Sequence, residues 1–209
     1  MFRDIGIHFQ PQRFIHPSWI EALQNADTLL ELRNNISRGS PAERCLQLYL
    51  RRVFDLSDLM LDELTTLEKQ LLEMDSQQLQ KLIVLMGGYV NHDILKQCIT
   101  REAVSYMHYC LGADGYRYCL LRSPGDEHQF TAVTETWIDP CQSLEFLRCC
   151  GLKCLFKLQG LMQEESAQRL KLMLPRDWIE DKRDAYDVRV RGDMEALFNK
   201  LYPEVIDND

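Results

Sequence analysis

The chain has 209 residues, 24 of them basic and 32 acidic, for a net charge of −8. That sign argues against polyanionic partners, nucleic acid and anionic lipid alike, and no window approaches the 18 uninterrupted apolar residues of a membrane span. The length suits a single compact domain over 1–209, able to bury roughly 70% of its unfolded surface without disulfide staples.

Residues 1–17 mix apolar and polar side chains with two prolines and suit an extended arm or strand. They contain no basic stretch followed by an apolar run, so no signal peptide is expected. Ser18 with Glu21 forms a capping box for a first helix carried by Ile20, Leu23 and Leu30. Asn34 to Ser40 is a turn-rich break. Ser40, Pro41 and Glu43 repeat the capping pattern, and Cys45, Leu48, Tyr49 and Arg52 carry a second helix.

Seven acidic residues and one lysine lie between Asp55 and Asp75. Leu56, Met60, Leu64, Leu67 and Leu71 give this stretch an apolar stripe at helical spacing. It is either an acidic docking face or a solvated helix exterior, and the exterior is the commoner meaning of such a pattern. Ser76 to Tyr89 is a further apolar-faced helix, expected to end at Gly87 and Gly88, where a left-handed cap is easily adopted. That glycine pair follows a helix rather than a strand and has no Lys-Ser/Thr beside it, which argues against a phosphate cradle. Asn91 and Thr100 are expected to cap helices running to Cys98 and Cys110. Gly112 breaks the second, and Asp114 to Leu121 forms a short helix of its own. SPGDEHQ at 123–129 is the clearest loop, and Phe130 to Trp137 alternates as a short strand.

Asp139, Pro140 and Gln142 have the makings of an N-terminal cap. The helix they open is apolar on nearly every side, with Leu144, Leu147, Gly151, Leu155, Leu158 and Met162 at three- and four-residue steps. Such a helix belongs at the centre of the fold. From Gln168 to Leu174 the pattern alternates, predicting a strand that Pro175 stops and that pairs with Phe130–Trp137. The segment 176–192 balances five arginines and lysines against five acidic residues and reads as an exposed, ion-paired surface, with Trp178 and Tyr186 as contact anchors or as covers of the core. Asp193 caps a last amphipathic helix. The fold class is therefore mainly α, with a small minor β element.

Eight cysteines, at 45, 98, 110, 119, 141, 149, 150 and 154, fall mostly inside apolar helical runs, as reduced intracellular thiols do. Cys149, Cys150 and Cys154 lack the knuckle spacing of a zinc site and are expected as core packing. His108 and Cys110, two residues apart on a helix, diverge, and no oxyanion-hole motif accompanies them. His16, His92 and His128 lie near turns and are expected to face water. No catalytic, cofactor or metal site is assigned, and no enzyme activity is expected.

Two blocks carry a resemblance to a known family. One is QLQKLIVLMGGYVNHDILKQCITREAVSYMHYCLG, Gln78 to Gly112. The other is SLEFLRCCGLKCLFKLQGLMQEESAQRLKLMLP, Ser143 to Pro175. With the PQRFIHPSWIEAL stretch near the start, they are similar to the SctK (YscK-like) family of the bacterial type III secretion injectisome. The stretches 34–75 and 176–209 match least. The resemblance implies a non-enzymatic structural adaptor in the bacterial cytoplasm, peripheral to the injectisome. Its partners would be the cytoplasmic domain of the inner-membrane ring protein and the pod protein of the sorting platform, with neither nucleic acid nor membrane insertion involved. Under that reading the candidate contact patches are Asp58, Asp62 and Glu63 on one side and the Arg169, Arg176, Trp178 edge on the other. Two other classes compete: an acidic type III secretion chaperone, which would need more strand than is visible, and a cysteine- or zinc-dependent enzyme, which would need exposed or metal-bound thiols.

Overall fold

The computed structural model describes residues 10–121, 130–134, 143–180 and 188–206. The helix start expected at Asp139, the 123–129 loop, Cys141, His128 and Tyr186 lie outside these residues. Among them are twelve α-helices and one two-stranded antiparallel sheet, so the chain is mainly α with a minor β element. The chain read above as one domain gathers into two compact units, Met1–Leu79 with Met162–Asp181 and Gln80–Leu161 with Lys182–Asp209.

The first unit begins with two one-turn helices, α1 (Pro11–Phe14) and α2 (Pro17–Glu21), where the sequence suggested an arm followed by one longer helix. Each has proline at its first position, where no amide hydrogen is needed. His16, rather than Ser18, caps α2: its Nδ1 accepts from the Ser18 amide at 3.3 Å and contacts Ser18 Oγ at 2.9 Å. Asn25, in the left-handed conformation at φ 62°, separates α2 from α3 (Ala26–Asn35). α4 (Pro41–Val53) starts as expected, with Ser40 Oγ accepting from the Glu43 amide. The acidic stretch that follows is not one helix. Asp55 adopts φ 48° and breaks the chain direction, Leu61–Glu63 forms a single 3-10 turn, and only Thr66–Glu73 is α-helical (α5).

The C-terminal part of the first unit contributes α10 (Glu164–Met173) and α11 (Arg176–Glu180). The strand predicted at Gln168–Leu174 is therefore helix. Alternation misled because α10 is covered on most sides: Ala167 and Leu170 are buried, and so are Leu172 and Met173. A helix wrapped by neighbours shows no period of its own. It packs against α5 and α1, and the unit's core closes around Ile15, Ile20, Leu50, Leu71, Leu170 and Leu174, each at most 1% exposed.

The second unit holds most of α6 (Ser76–Val90), then α7 (His92–Gln97), α8 (Arg101–Leu120), β1 (Thr131–Thr134), α9 (Ser143–Gln159), β2 (Val188–Arg191) and α12 (Met194–Ile206). β1 pairs with β2, not with the 168–174 segment, in the register Thr131 to Arg191 and Thr134 to Val188. Thr100 Oγ1 caps α8 by accepting from the Ala103 amide, and Asp193 Oδ1 caps α12 by accepting from the Glu195 and Ala196 amides. Gly112, at φ 73° and ψ 162°, interrupts α8 where its sequence predicted a break.

Gly87 and Gly88 do not end α6. The helix runs through both, because a glycine in a helix lets a second backbone come close. A Cβ on Gly87 would stand 1.8 Å from the Leu147 carbonyl oxygen, and a Cβ on Gly151 would stand 1.8 Å from that of Ile83. The two contacts are reciprocal, each glycine facing the residue four positions before the other. α6 and α9 therefore cross antiparallel at near backbone contact, the approach at which Cα–H groups meet carbonyls. Around the crossing, Leu82, Met86 and Tyr89 of α6 and Phe146, Leu155 and Leu158 of α9 have no exposed surface.

Candidate docking surfaces

The six residues singled out from the sequence do not share one fate. Asp58, Asp62 and Glu63 are all exposed, but they lie on a loop and a 3-10 turn, not on one helical face. Asp58 is ion-paired with Arg51, and the hydrogen bond and charge of that guanidinium hold its carboxyl below the usual range. Glu63 presents its backbone carbonyl to Gln163 Nε2 at 3.2 Å. The carboxylates of Asp62 and Glu63 are available to another molecule.

Arg169 is a correction. It is 2% exposed and belongs to the interior of the first unit. Its guanidinium donates to two backbone carbonyls, those of Glu165 (2.9 Å) and Ser57. Burial, and then the nearby Arg51, lower its pKa. A charged group spent on carbonyls inside a fold ties α10 to the 54–60 loop and offers nothing to a partner. Arg176 and Trp178 are half-buried on α11. Arg176 Nε donates to Glu180 Oε2 at 2.6 Å, and its guanidinium stands 5.9 Å from the Trp19 ring centroid. That stacking, with Trp19 Nε1 donating to the Leu174 carbonyl at 2.9 Å, fixes α11 against α2. The edge is thus reduced to Arg176 and Trp178, without Arg169.

The hub that the sequence did not disclose is Glu68. It closes a capping box with Thr65 at the start of α5, and its second oxygen accepts the Gln163 amide at 2.8 Å, where α10 begins. One carboxylate thus serves the N-termini of two helices, where negative charge is favoured. Burial alone would raise its pKa; the hydrogen bonds from Thr65 and Gln163 outweigh that, and the net direction is down. The only sequence signal was the Thr-x-x-Glu spacing at 65–68.

The clustered thiols of α9 lie in the core. Cys149, Cys150 and Cys154 are buried, as their apolar neighbours suggested. Burial pushes the Cys150 thiol up to about 12 and the Cys154 thiol up as well, so neither is a nucleophile near neutral pH. Among the described residues no group of three or more His, Cys, Asp or Glu side chains is placed to hold a metal ion. His108 is exposed and lies against the Tyr116 ring at 4.7 Å between centroids, while the Cys110 thiol is raised by burial and bonded to Tyr106. The two residues do not act together. His92, expected at the surface, is 2% exposed.

On α4 the stripe picked out by periodicity faces solvent: Cys45, Leu48, Tyr49 and Arg52 are exposed, and Glu43, Leu46 and Leu50 point inward. No family model, curated protein or solved structure matches the chain.

Proposed function

We propose that the chain is a non-enzymatic structural adaptor of a type III secretion injectisome, working in the bacterial cytoplasm between the inner-membrane ring protein and the pod protein of the sorting platform. The observation that carries the reading is the pair of sequence blocks, Gln78–Gly112 and Ser143–Pro175, in the order and spacing of the SctK family. The second block departs from expectation in one respect, since its end is helix α10 and not a strand.

Three structural features favour this reading. The chain has two units, each with its own apolar core, which suits a molecule that must hold two partners. Its buried polar side chains are largely spent on the chain itself: Glu68 on helix starts, Arg169 on carbonyls, Glu43 on Gln12 and Gly39. The buried thiols, held protonated, have no chemistry to offer. Docking then proceeds by burying one surface patch per partner, with charge complementarity setting orientation and encounter rate.

The test is co-purification of the full chain with the ring protein's cytoplasmic domain and with the pod protein. Recovery of neither removes the reading. Charge reversal at Asp58, Asp62 and Glu63 together is expected to weaken one of the two complexes while leaving the melting temperature within a degree or two, because all three side chains are exposed. Unchanged recovery of both partners discards that patch.

A further inference from the structure

The first unit leaves an unusual amount of apolar surface uncovered on two adjoining helices. α4 buries Leu46 and Leu50 and turns Leu48 (68% exposed), Tyr49 (41%) and Val53 (39%) outward. With Cys45 these follow steps of three and four residues, so they form one stripe along the helix. α3, which packs on α4, contains three leucines and not one buried residue, and its Leu32 is 40% exposed. A ten-residue helix with no buried side chain gains little from its own fold.

Charge distinguishes this surface from the rest of the molecule. α3 carries Asp27 and Glu31 beside Arg33, but from Asn34 to Val53 stand four arginines, at 38, 44, 51 and 52, and a single carboxylate, in a chain whose net charge is −8. That carboxylate, Glu43, is buried and occupied by Gln12 Nε2 at 3.0 Å and the Gly39 amide at 2.6 Å. Arg51 is neutralised by Asp58. Arg44 and Arg52 remain exposed on α4, beside the apolar stripe.

We infer that the outward face of α4 is the docking site for an acidic amphipathic helix of a partner protein. Its apolar side chains cover Leu48, Tyr49 and Val53, and its carboxylates meet Arg44 and Arg52. A helix is the complementary shape, since a stripe at three- and four-residue steps is met by another such stripe. A second copy of this chain is disfavoured because a twofold contact through α4 sets like-charged arginines against each other. An anionic membrane is disfavoured because the chain as a whole is repelled by it. The inference deepens the adaptor reading, on which it rests, by giving one partner its chemistry.

The experiment titrates the full chain into a fluorescein-labelled helical peptide of about 18 residues, five turns long, with leucines at three- and four-residue steps flanked by glutamates. Binding in the micromolar range that weakens with added salt is expected. Leu48→Glu, and Arg44→Glu with Arg52→Glu, should each weaken it by about tenfold or more, the effect of removing roughly 1.4 kcal/mol, with the melting temperature unchanged. A peptide with lysines for the glutamates should bind no better than a scrambled one. Equal binding of the acidic, lysine and scrambled peptides overturns the inference. So does co-sedimentation with phosphatidylglycerol vesicles, or a dimer in solution, that Leu48→Glu abolishes. Loss of the peptide signal in the wild-type chain leaves the adaptor reading standing if the ring and pod proteins still co-purify. Failure of both to co-purify removes that reading whatever the peptide does.

Discussion

Replacing Gly151 with alanine tests the crossing of α6 and α9 directly. In an open helix the change is favourable by about 1 kcal/mol, since alanine is the better helix former. Here the new methyl would stand 1.8 Å from the Ile83 carbonyl oxygen, and the obstacle is backbone. An ordinary carbon–oxygen contact is about 3.3 Å, so the helices must part by roughly 1.5 Å along a line filled on both sides by buried side chains. Forcing a group into a packed core costs about 1 to 3 kcal/mol, and the lost contacts of the separated faces place this case at or above the upper end. Net destabilisation of about 2 kcal/mol or more remains, equivalent to a fall of about 4 to 8 °C in the melting temperature of a chain this size. The internal control is Gly115→Ala in α8, where the added carbon meets the tip of Leu85 at 3.3 Å and Leu111 Cβ at an ordinary 3.8 Å. That side chain can swing aside, so the control should melt within a degree or two of wild type or slightly higher. Thermal unfolding followed by circular dichroism reads both variants. A Gly151→Ala protein as stable as wild type refutes the close crossing.

Glu68→Ala should destabilise by about 3 kcal/mol, from a lost cap and an unpaired amide at the start of α10, read by urea unfolding. Because the folded pKa of Glu68 lies below its ordinary 4.5, its contribution is present above 4.5 and is lost as pH falls through the lower folded value. Glu68→Gln should remove that acid-sensitive part from the stability–pH curve. Arg169→Ala should lower stability by about 1 to 3 kcal/mol by taking from the Ser57 carbonyl its donor, whereas a surface contact residue would leave the melting temperature alone. Labelling with N-ethylmaleimide, mapped by mass spectrometry, should modify exposed Cys45 in the native protein and reach Cys150 and Cys154 only after denaturation. Rapid native labelling of Cys154 would contradict its burial.

Helix starts were the most legible part of the sequence. Ser40-Pro41-Glu43, Thr100 and Asp193 each announced a helix that the structure contains, because a cap is a local hydrogen bond that neighbours in the chain can specify. What a residue packs against is not local, and there the reading failed in particular ways. Paired glycines such as Gly87 and Gly88 commonly mark a helix end, but here Gly87 makes room for the Leu147 carbonyl. The leucines of α10 alternate because both their sides are covered. The acidic stretch keeps helical spacing from Leu56 to Leu71, although only Thr66–Glu73 is α-helical and Leu61–Glu63 is a 3-10 turn. Among the candidate contact residues, Asp58, Asp62 and Glu63 are on the surface as their charge suggested. Arg169, equally charged, is inside, because two carbonyls distant in sequence or one turn away take its protons. On α4 the sequence offers two apolar stripes, and nothing in their composition says which of them meets the core.

The bond from Gln163 to Glu68 joins residues 95 positions apart. The first unit is assembled from the beginning of the chain and a short return between Met162 and Asp181, after the ribosome has already produced most of the second. Its N-terminal helices therefore wait, apolar faces uncovered, for a segment made much later, and such waiting is slow and prone to aggregation. A fragment that stops before α10 would not be a smaller working version of this protein but an unfinished one, dependent on chaperones from the moment it is released.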